Sequence, residues 1–132
     1  MARIDKYDPV DGGFRARLGF APAAGEVGDV IGVTIDNAGL VQKASAANAE
    51  GVICLSSLLN QGDVVDVMTD GEIVDIVAGN NVTGFAAGAV AYAGAAGAVN
   101  VTAPAAGVNG VRIGHFVEAW RLIVRVQTVQ GA

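Results

Sequence analysis

The sequence predicts an all-β protein, a small β-sandwich or barrel with an extended N-terminal arm and little helix. Short runs rich in valine and isoleucine recur from Val27 onward between turn signals, and stretches with helical periodicity are scarce. A spacing of about 8 to 12 residues between such runs is typical of sandwiches and barrels. The length of 132 residues is that of a single domain.

The predicted strands follow one another in short steps along the chain. In order they are DVIGVTI, GLVQKA, GVICL, DVVDVM, EIVDIV, AVAYAG, AVNVT, VRIGHFV and RLIVRVQ. Only SAANAE, SSLLN and EAW have the composition of short helical turns. The segments that begin at Val33 and Val90 both run strand, glycine turn, short strand, alanine-rich connection and new strand, which predicts a duplicated β unit.

The first 20 or so residues show neither helical nor strand periodicity. They contain Asp-Pro and Gly-Gly pairs and the isolated apolar residues Ile4, Tyr7 and Phe14. A segment of this kind becomes ordered when it lies on another surface. We therefore divide the chain into an N-terminal arm, residues 1–22, and a β domain, residues 23–132.

Charge is sparse and unevenly distributed. Charged residues make up 16% of the chain and hydrophobic ones 52%, so much of the surface is neutral and suited to being covered by partners. The net charge is −5, and after residue 17 four cations face ten acids. An acidic body repels phosphate backbones, so nucleic acid is not expected as a partner.

Membrane insertion and export are not expected either. The N-terminus is charged from Arg3 onward, unlike a signal peptide. The stretch from Ile76 to Val111 carries no charge, but its asparagines, proline and frequent glycines indicate a packed β region and not a membrane span. The single cysteine, Cys54, lies in the apolar run GVICL and is expected in the core.

The run DVVDVMTDGEIVDI predicts a hairpin around an Asp70-Gly71 turn, with Asp66 opposite Asp75. Two opposed carboxylates could act as a general acid and base, bind a metal ion, or lie outward in solvent or beside cations. The outward reading is favoured, with Arg121, Arg125 or an arginine of another subunit as counter-ions. The predicted core face of this hairpin comprises Val65, Val67, Val74 and Ile76.

Other residues offer little chemistry. His115 is the sole histidine, no nucleotide-binding or nucleophile motif occurs, and neither a cofactor nor a metal is expected, so an enzyme is not predicted. Lys43 in QKA resembles the lysine of a lipoyl or biotinyl carrier hairpin, but its neighbours and the turn position differ. Tyr92 and Trp120 serve either the core or a subunit interface.

Several stretches together resemble one family. They are GDVIGVTIDNAGLVQKA, GEIVDIVAG, GAVAYAGAAGAVNV and RIGHFVEAWRLIVRVQ. With the N-terminal arm, they resemble the small head decoration, or capsid cement, proteins of tailed bacteriophages. The resemblance implies a β domain of the β-tulip type that forms a homotrimer on the outer capsid surface and reinforces contacts between major capsid protein subunits. It implies synthesis in the bacterial cytoplasm and a final place in the virion.

Two sets of residues follow as candidates for these contacts. The predicted capsid-binding residues of the arm are Arg3, Ile4, Tyr7, Phe14, Arg15 and Arg17. The predicted subunit-interface residues are Asp66, Asp75, Tyr92, Trp120, Arg121 and Arg125. The alternatives are another virion β module, such as a tail or fibre component, and a lipoyl or biotinyl carrier domain.

Overall fold

The computed structural model describes residues 12–77, 79, 81–82 and 85–132, and in this part of the chain the fold is all β, which confirms the predicted class. Helix is limited there to two short 3-10 turns, Ala24–Glu26 and Ala95–Gly97. The strands are β1 Gly13–Leu18, β2 Val30–Ile35, β3 Leu40–Lys43, β4 Gly51–Cys54, β5 Val64–Met68, β6 Asp70–Ile73, β7 Val90–Ala93, β8 Val99–Asn100, β9 Asn109–Glu118 and β10 Arg121–Gln130.

The first five strands form a closed barrel in the order β1-β3-β2-β4-β5. It closes because β1 pairs in parallel with β3 and antiparallel with β5. Alternate side chains of each strand point into the barrel, as the two-residue period of a strand requires. The fully enclosed interior consists of Leu18, Ile31, Val33, Val41, Ile53, Leu55, Val65 and Val67.

The barrel includes a segment that the sequence analysis assigns to the arm. Residues 13–18 form β1, and five of them pair with β5, so the division at residue 22 separates a barrel strand from its sheet. The stretch FRARL alternates apolar residues with arginines, which is the pattern of a half-buried strand. Phe14 and Leu18 pack on the barrel core, whereas Arg15 and Arg17 are exposed.

The last five strands form a second sheet in the order β6-β10-β9-β7-β8. Its inner face packs against the outside of the barrel at β2 and β4, where Val30 and Val52 join the same core as Phe116 and Leu122. Phe116 is fully buried, and its ring stacks on that of Phe85 with the ring centroids 3.9 Å apart.

Strands β2 and β4 are buried on both faces. Val30 and Val52 face the second sheet, and Ile31 and Ile53 face the barrel interior. This double burial explains why VIGVTI and GVIC are nearly continuous apolar runs. The chain approaches β2 closely at Gly97, where an added Cβ would lie 2.8 Å from Cγ2 of Ile31.

The two similar sequence segments have the same strand order. In the barrel, β2 lies between β3 and β4, and in the second sheet β7 lies between β8 and β9. The tight turns hold Gly39 and Gly97, which both have φ of +80°. The predicted duplicated unit is therefore matched by the topology of each half.

The predicted hairpin around Asp70-Gly71 is wrong. β5 belongs to the barrel, whereas β6 pairs antiparallel with β10 in the other sheet. The chain changes sheets at Thr69, whose N–H donates to the carbonyl of Gly12 and whose carbonyl accepts from Val126. Val65, Val67 and Ile76 are buried as predicted. Val74 is exposed, because the chain passes from one sheet to the other between Val67 and Val74 and the alternation of inward and outward side chains does not continue across this point.

Candidate functional site

The predicted arm residues that the structure describes are held on the barrel. Arg15 Nε lies 2.8 Å from Oδ1 of Asp66, and Arg17 Nη1 donates to the carbonyl of Gly62 at 3.0 Å. Both arginines are exposed, so these contacts add little to stability. Phe14 is half-buried against the barrel core, whereas Arg3, Ile4 and Tyr7 lie outside the described residues.

Asp66 and Asp75 are not brought together. Asp66 lies on β5 directly across from Arg15 of β1, while Asp75 follows β6 with φ of 56°. Asp66 therefore points outward beside a cation, as predicted, but the cation is neither Arg121 nor Arg125. Without a second carboxylate across the strand pair, the arrangement provides no acid and base dyad.

Three of the predicted interface residues do share a surface, the outer face of the second sheet. Tyr92 of β7 pairs in register with Arg112 of β9, and Arg125 of β10 with Asp70 of β6. Register shifts in the β7–β9 and β9–β10 pairs bring Arg112 and His115, which are three positions apart, to the same side, and the inward side chains are buried, so the outward set forms one continuous face. We call this set the arginine face: Asp70, Glu72, Tyr92, Arg112, His115, Glu118, Arg121, Ile123 and Arg125.

A depression of about 370 Å³ lies in the middle of the arginine face. The residues that line it include Asp70, Arg112, His115, Arg125 and Gln127. Arg121 is paired with Glu72 beside it. Within the described ranges, no carboxylate lies within ion-pair distance of Arg112 or Arg125.

Trp120 lies at the end of the β9–β10 hairpin, next to the segment that follows β6. Its carbonyl accepts a hydrogen bond from the N–H of Ile76 at 2.9 Å. The side chains of Val74, Val77 and Trp120 are 52%, 60% and 46% exposed. We call these three residues the apolar end; its exposed tryptophan and valines are of the kind that protein partners cover.

A cleft of about 690 Å³ lies where the barrel meets the second sheet. Gly12, Phe14, Cys54, Met68 and Ile73 are among the residues that line it. Burial, and secondly the negative charge of Asp29, raises the pKa of Cys54. The thiol is therefore kept protonated and is a poor nucleophile.

A buried polar cluster, which the sequence analysis did not identify, joins the turn before β2, the end of β3 and the segment that follows β6. Lys43 Nζ lies 2.7 Å from Oε2 of Glu26, and the same oxygen accepts from Nδ2 of Asn81 at 2.8 Å. Oδ2 of Asp29 accepts from the N–H of Asn81 at 2.6 Å, and Oδ1 accepts from Val30. Glu26, Asp29 and Asn81 are all buried.

The two buried carboxyls are shifted in opposite directions. Burial raises the pKa of Glu26, but hydrogen bonds from Ala23, Lys43 and Asn81 outweigh it and hold that pKa below its ordinary value. Burial dominates at Asp29 and, together with the charge of Glu26, raises its pKa. Glu26 is thus the ionised partner of Lys43, and the cluster has the character of a structural ion pair.

This cluster also bears on the carrier alternative. A carrier lysine must extend freely from a hairpin tip, whereas Lys43 ends β3 and pairs with buried Glu26. Its ammonium also lies 5.4 Å from the ring centroid of Phe20. The position of Lys43 therefore does not favour carrier chemistry.

In the part of the chain that the structure covers, no group of three or more histidine, cysteine or acidic side chains could hold a metal ion. The same part has no helix with the length and apolar character needed to cross a membrane.

Comparisons with known proteins identify a solved structure with a similar fold. No family model matches the chain, and no curated protein does. Among solved structures, the chain is similar to one from Mycobacterium phage Patience, with a TM-score of 0.68 and 21% sequence identity. The likeness extends over 97% of both chains. The barrel and the second sheet therefore belong to a fold that also occurs in a phage protein.

Proposed function

We propose that this chain is a structural virion protein that binds the outer surface of a phage capsid as a trimer and reinforces contacts between major capsid protein subunits. The observation that carries the proposal is the fold likeness to the protein of Mycobacterium phage Patience, which runs over 97% of both chains. The motif resemblance to head decoration proteins supports the same role.

The surface supports a role in assembly. Val74, Val77 and Trp120 of the apolar end are each exposed, and tryptophan is a residue that commonly anchors protein interfaces. The arginine face adds planar cations that bind carboxylates. A role in binding is enough to account for the side chains on both surfaces.

The N-terminal segment is the proposed contact with the shell. β1 starts at Gly13, and the carbonyl of Gly12 accepts from Thr69 and Asp70, so the barrel is complete from residue 12 onward. Arg3, Ile4 and Tyr7 precede this point and remain the predicted capsid contacts. Three arms on one trimer would bind neighbouring sites and gain affinity through multivalency.

The direct test is to co-express the chain with the major capsid protein of the genome that encodes it and to image the purified shells by cryo-electron microscopy. We expect additional density on the outer surface, in clusters of three. Density on tails, or shells without additional density, would contradict the proposal.

A matched truncation tests the arm in the same experiment. Deletion of residues 1–11 leaves every described strand intact, so we expect a folded protein that no longer binds shells. Binding at full occupancy by the truncated protein would show that the arm is not the shell contact.

A further inference from the structure

The buried polar cluster brings a lysine, a glutamate and an asparagine to one point. Lys43 Nζ lies 2.7 Å from Oε2 of Glu26, and Nδ2 of Asn81 donates to that same oxygen at 2.8 Å. Each of the two nitrogens is therefore one hydrogen bond away from a single carboxylate oxygen. Glu26 and Asn81 are buried, so water competes weakly for these contacts.

The backbone of Asn81 is held on both sides. Its N–H donates to Oδ2 of Asp29 at 2.6 Å, and its carbonyl accepts from the N–H of Val99 at 2.6 Å. Gly79 also lies close to the turn before β2, since a Cβ added there would lie 2.8 Å from the carbonyl oxygen of Gly25. A closely packed main chain therefore presents the carboxamide of Asn81 to Glu26.

We propose that Lys43 and Asn81 form an intramolecular isopeptide bond, with Glu26 as the proton carrier. A neutral lysine amine is a nucleophile, and the carbon of a carboxamide accepts it with ammonia as the leaving group. The exchange needs an amine, a carboxamide and a carboxyl that contacts both, and these are the groups that the cluster brings together. Holding the reactants in place makes the step intramolecular, which greatly raises its rate.

The path of the protons follows the two short contacts to Oε2. Glu26 is ionised and accepts a proton from the ammonium of Lys43. The neutral amine attacks Cγ of Asn81, so a bond forms between Nζ and Cγ and the bond between Cγ and Nδ2 breaks. Nζ loses two protons in all, and Glu26 passes them to Nδ2, which departs as ammonium. Glu26 is ionised again at the end, and no oxidant or cofactor is consumed.

The surroundings of the cluster suit this exchange. The side chain of Glu26 is only 3% exposed, and burial lowers the cost of the neutral amine and acid relative to the charged pair. The side chain of Lys43 is 34% exposed, so the cluster is open to solvent along the lysine and the departing nitrogen can reach water.

The bond would link β3 of the barrel to the segment between β6 and β7. It closes a covalent loop from Lys43 to Asn81, and a crosslink of this kind stabilises a fold by restricting the unfolded chain. Before the bond forms, Lys43 and Glu26 are an ion pair, and the contribution of that pair to stability belongs to the unlinked chain. The inference is independent of the capsid role, because it concerns groups within one molecule.

Intact mass spectrometry of the full-length wild-type protein, followed by a fragment map, tests the proposal. We expect a mass lower by one ammonia molecule than that of the sequence, after correction for the initiator methionine. In an unlinked chain, digestion after glutamate releases Lys43 in fragment 27–50 and Asn81 in fragment 73–118. In the linked protein these two fragments should remain joined. Full mass after prolonged incubation at neutral pH, with separate fragments, would overturn the inference.

Lys43→Arg is the first control, because it keeps the cation of the ion pair but cannot form the bond. It should have the full mass of its sequence. The Asn109-Gly110 pair can also lose ammonia, by cyclising to a succinimide. An ammonia loss that is unchanged in Lys43→Arg would therefore come from another site and would also overturn the inference.

A second pair of variants tests the role of Glu26. Glu26→Gln removes the proton carrier and should have its full mass, whereas Glu118→Gln makes the same change at the half-exposed end of β9 and should lose ammonia like the wild type. A linked Glu26→Gln protein would contradict the role of Glu26. Circular dichroism verifies that the variants are folded, and if Glu26→Gln does not fold, the wild-type fragment map decides whether the bond exists.

Discussion

At the residue scale, the ion pair between Glu26 and Lys43 is the buried interaction with the clearest energetic consequence. Glu26 accepts hydrogen bonds from Ala23 and Asn81 as well as from Lys43, so its charged form is satisfied without solvent. A hydrogen bond to a charged group contributes about 1.5–3 kcal/mol. Stability should therefore depend on the ionisation of this one carboxyl.

We expect Glu26→Gln to lower the free energy of unfolding at pH 7 by about 1.5–3 kcal/mol. The folded state lowers the pKa of Glu26, so its stabilisation is present above the ordinary value of 4.5 and is lost as the pH falls through the folded pKa. The difference between wild type and variant should shrink in acid. Urea denaturation from pH 7 to pH 3 measures it.

Glu118→Gln is the control, because Glu118 is half-exposed at the end of β9 and its substitution removes the same charge. Asp29 is present in both proteins and contributes with the opposite sign, since its raised pKa makes stability fall as the pH rises. A difference in free energy of unfolding between wild type and Glu26→Gln that does not change with pH would contradict the role of ionised Glu26.

Gly97 offers a second residue-scale test. Alanine there meets both a left-handed backbone, with φ of +80°, and Cγ2 of Ile31 at 2.8 Å. Gly107 has φ of +75° and nothing within 4 Å, so Gly107→Ala carries the backbone cost alone. We expect the free energy of unfolding to fall by about 1–2 kcal/mol in Gly107→Ala and by about 2–5 kcal/mol in Gly97→Ala. If thermal unfolding shows that both variants lose the same stability, the side chain of Ile31 can move away from an alanine at position 97.

At the element scale, β1 is the strand that closes the barrel. Removing residues 1–11 leaves it whole, whereas removing residues 1–20 deletes it and exposes the edges of β3 and β5. We expect the shorter deletion to keep the wild-type circular dichroism and melting temperature, and the longer one to unfold or aggregate. A folded, soluble product of the longer deletion would show that β1 is dispensable.

The elements also show what the sequence can and cannot predict. VRIGHFV and RLIVRVQ are rich in valine and isoleucine and lie within β9 and β10, and the same strand order in the two sheets agrees with the repeated sequence pattern. The Asp70-Gly71 signal predicts local pairing, but β6 pairs with β10, about 50 residues away in the chain. Local patterns do not contain such distant partners. β1 is different, because the alternation in FRARL indicates a strand from the sequence alone.

The candidate site is likewise only partly predictable from the sequence, because its residues come from distant positions in the chain. Tyr92, Arg121 and Arg125 were predicted as interface residues one by one, and the sheet places them on one face. Arg112 was missed because a single arginine in a strand carries no signal of its neighbours. The buried cluster was missed because Glu26 and Asn81 are 55 positions apart.

At the scale of the whole molecule, the surfaces are divided by type. The arginine face, which carries Asp70 and Glu72 as well as its arginines, covers the second sheet, and the apolar end lies at the β9–β10 hairpin. A protein with a different character on each side can bind different partners on each side.

The double burial of β2 and β4 has a thermodynamic consequence. Because Val30 and Ile31 are neighbours in the chain yet belong to separate cores, heat cannot melt the barrel while the second sheet stays intact. Differential scanning calorimetry should show one endotherm whose van't Hoff and calorimetric enthalpies agree. Two resolved endotherms would mean that the halves are independent cooperative units.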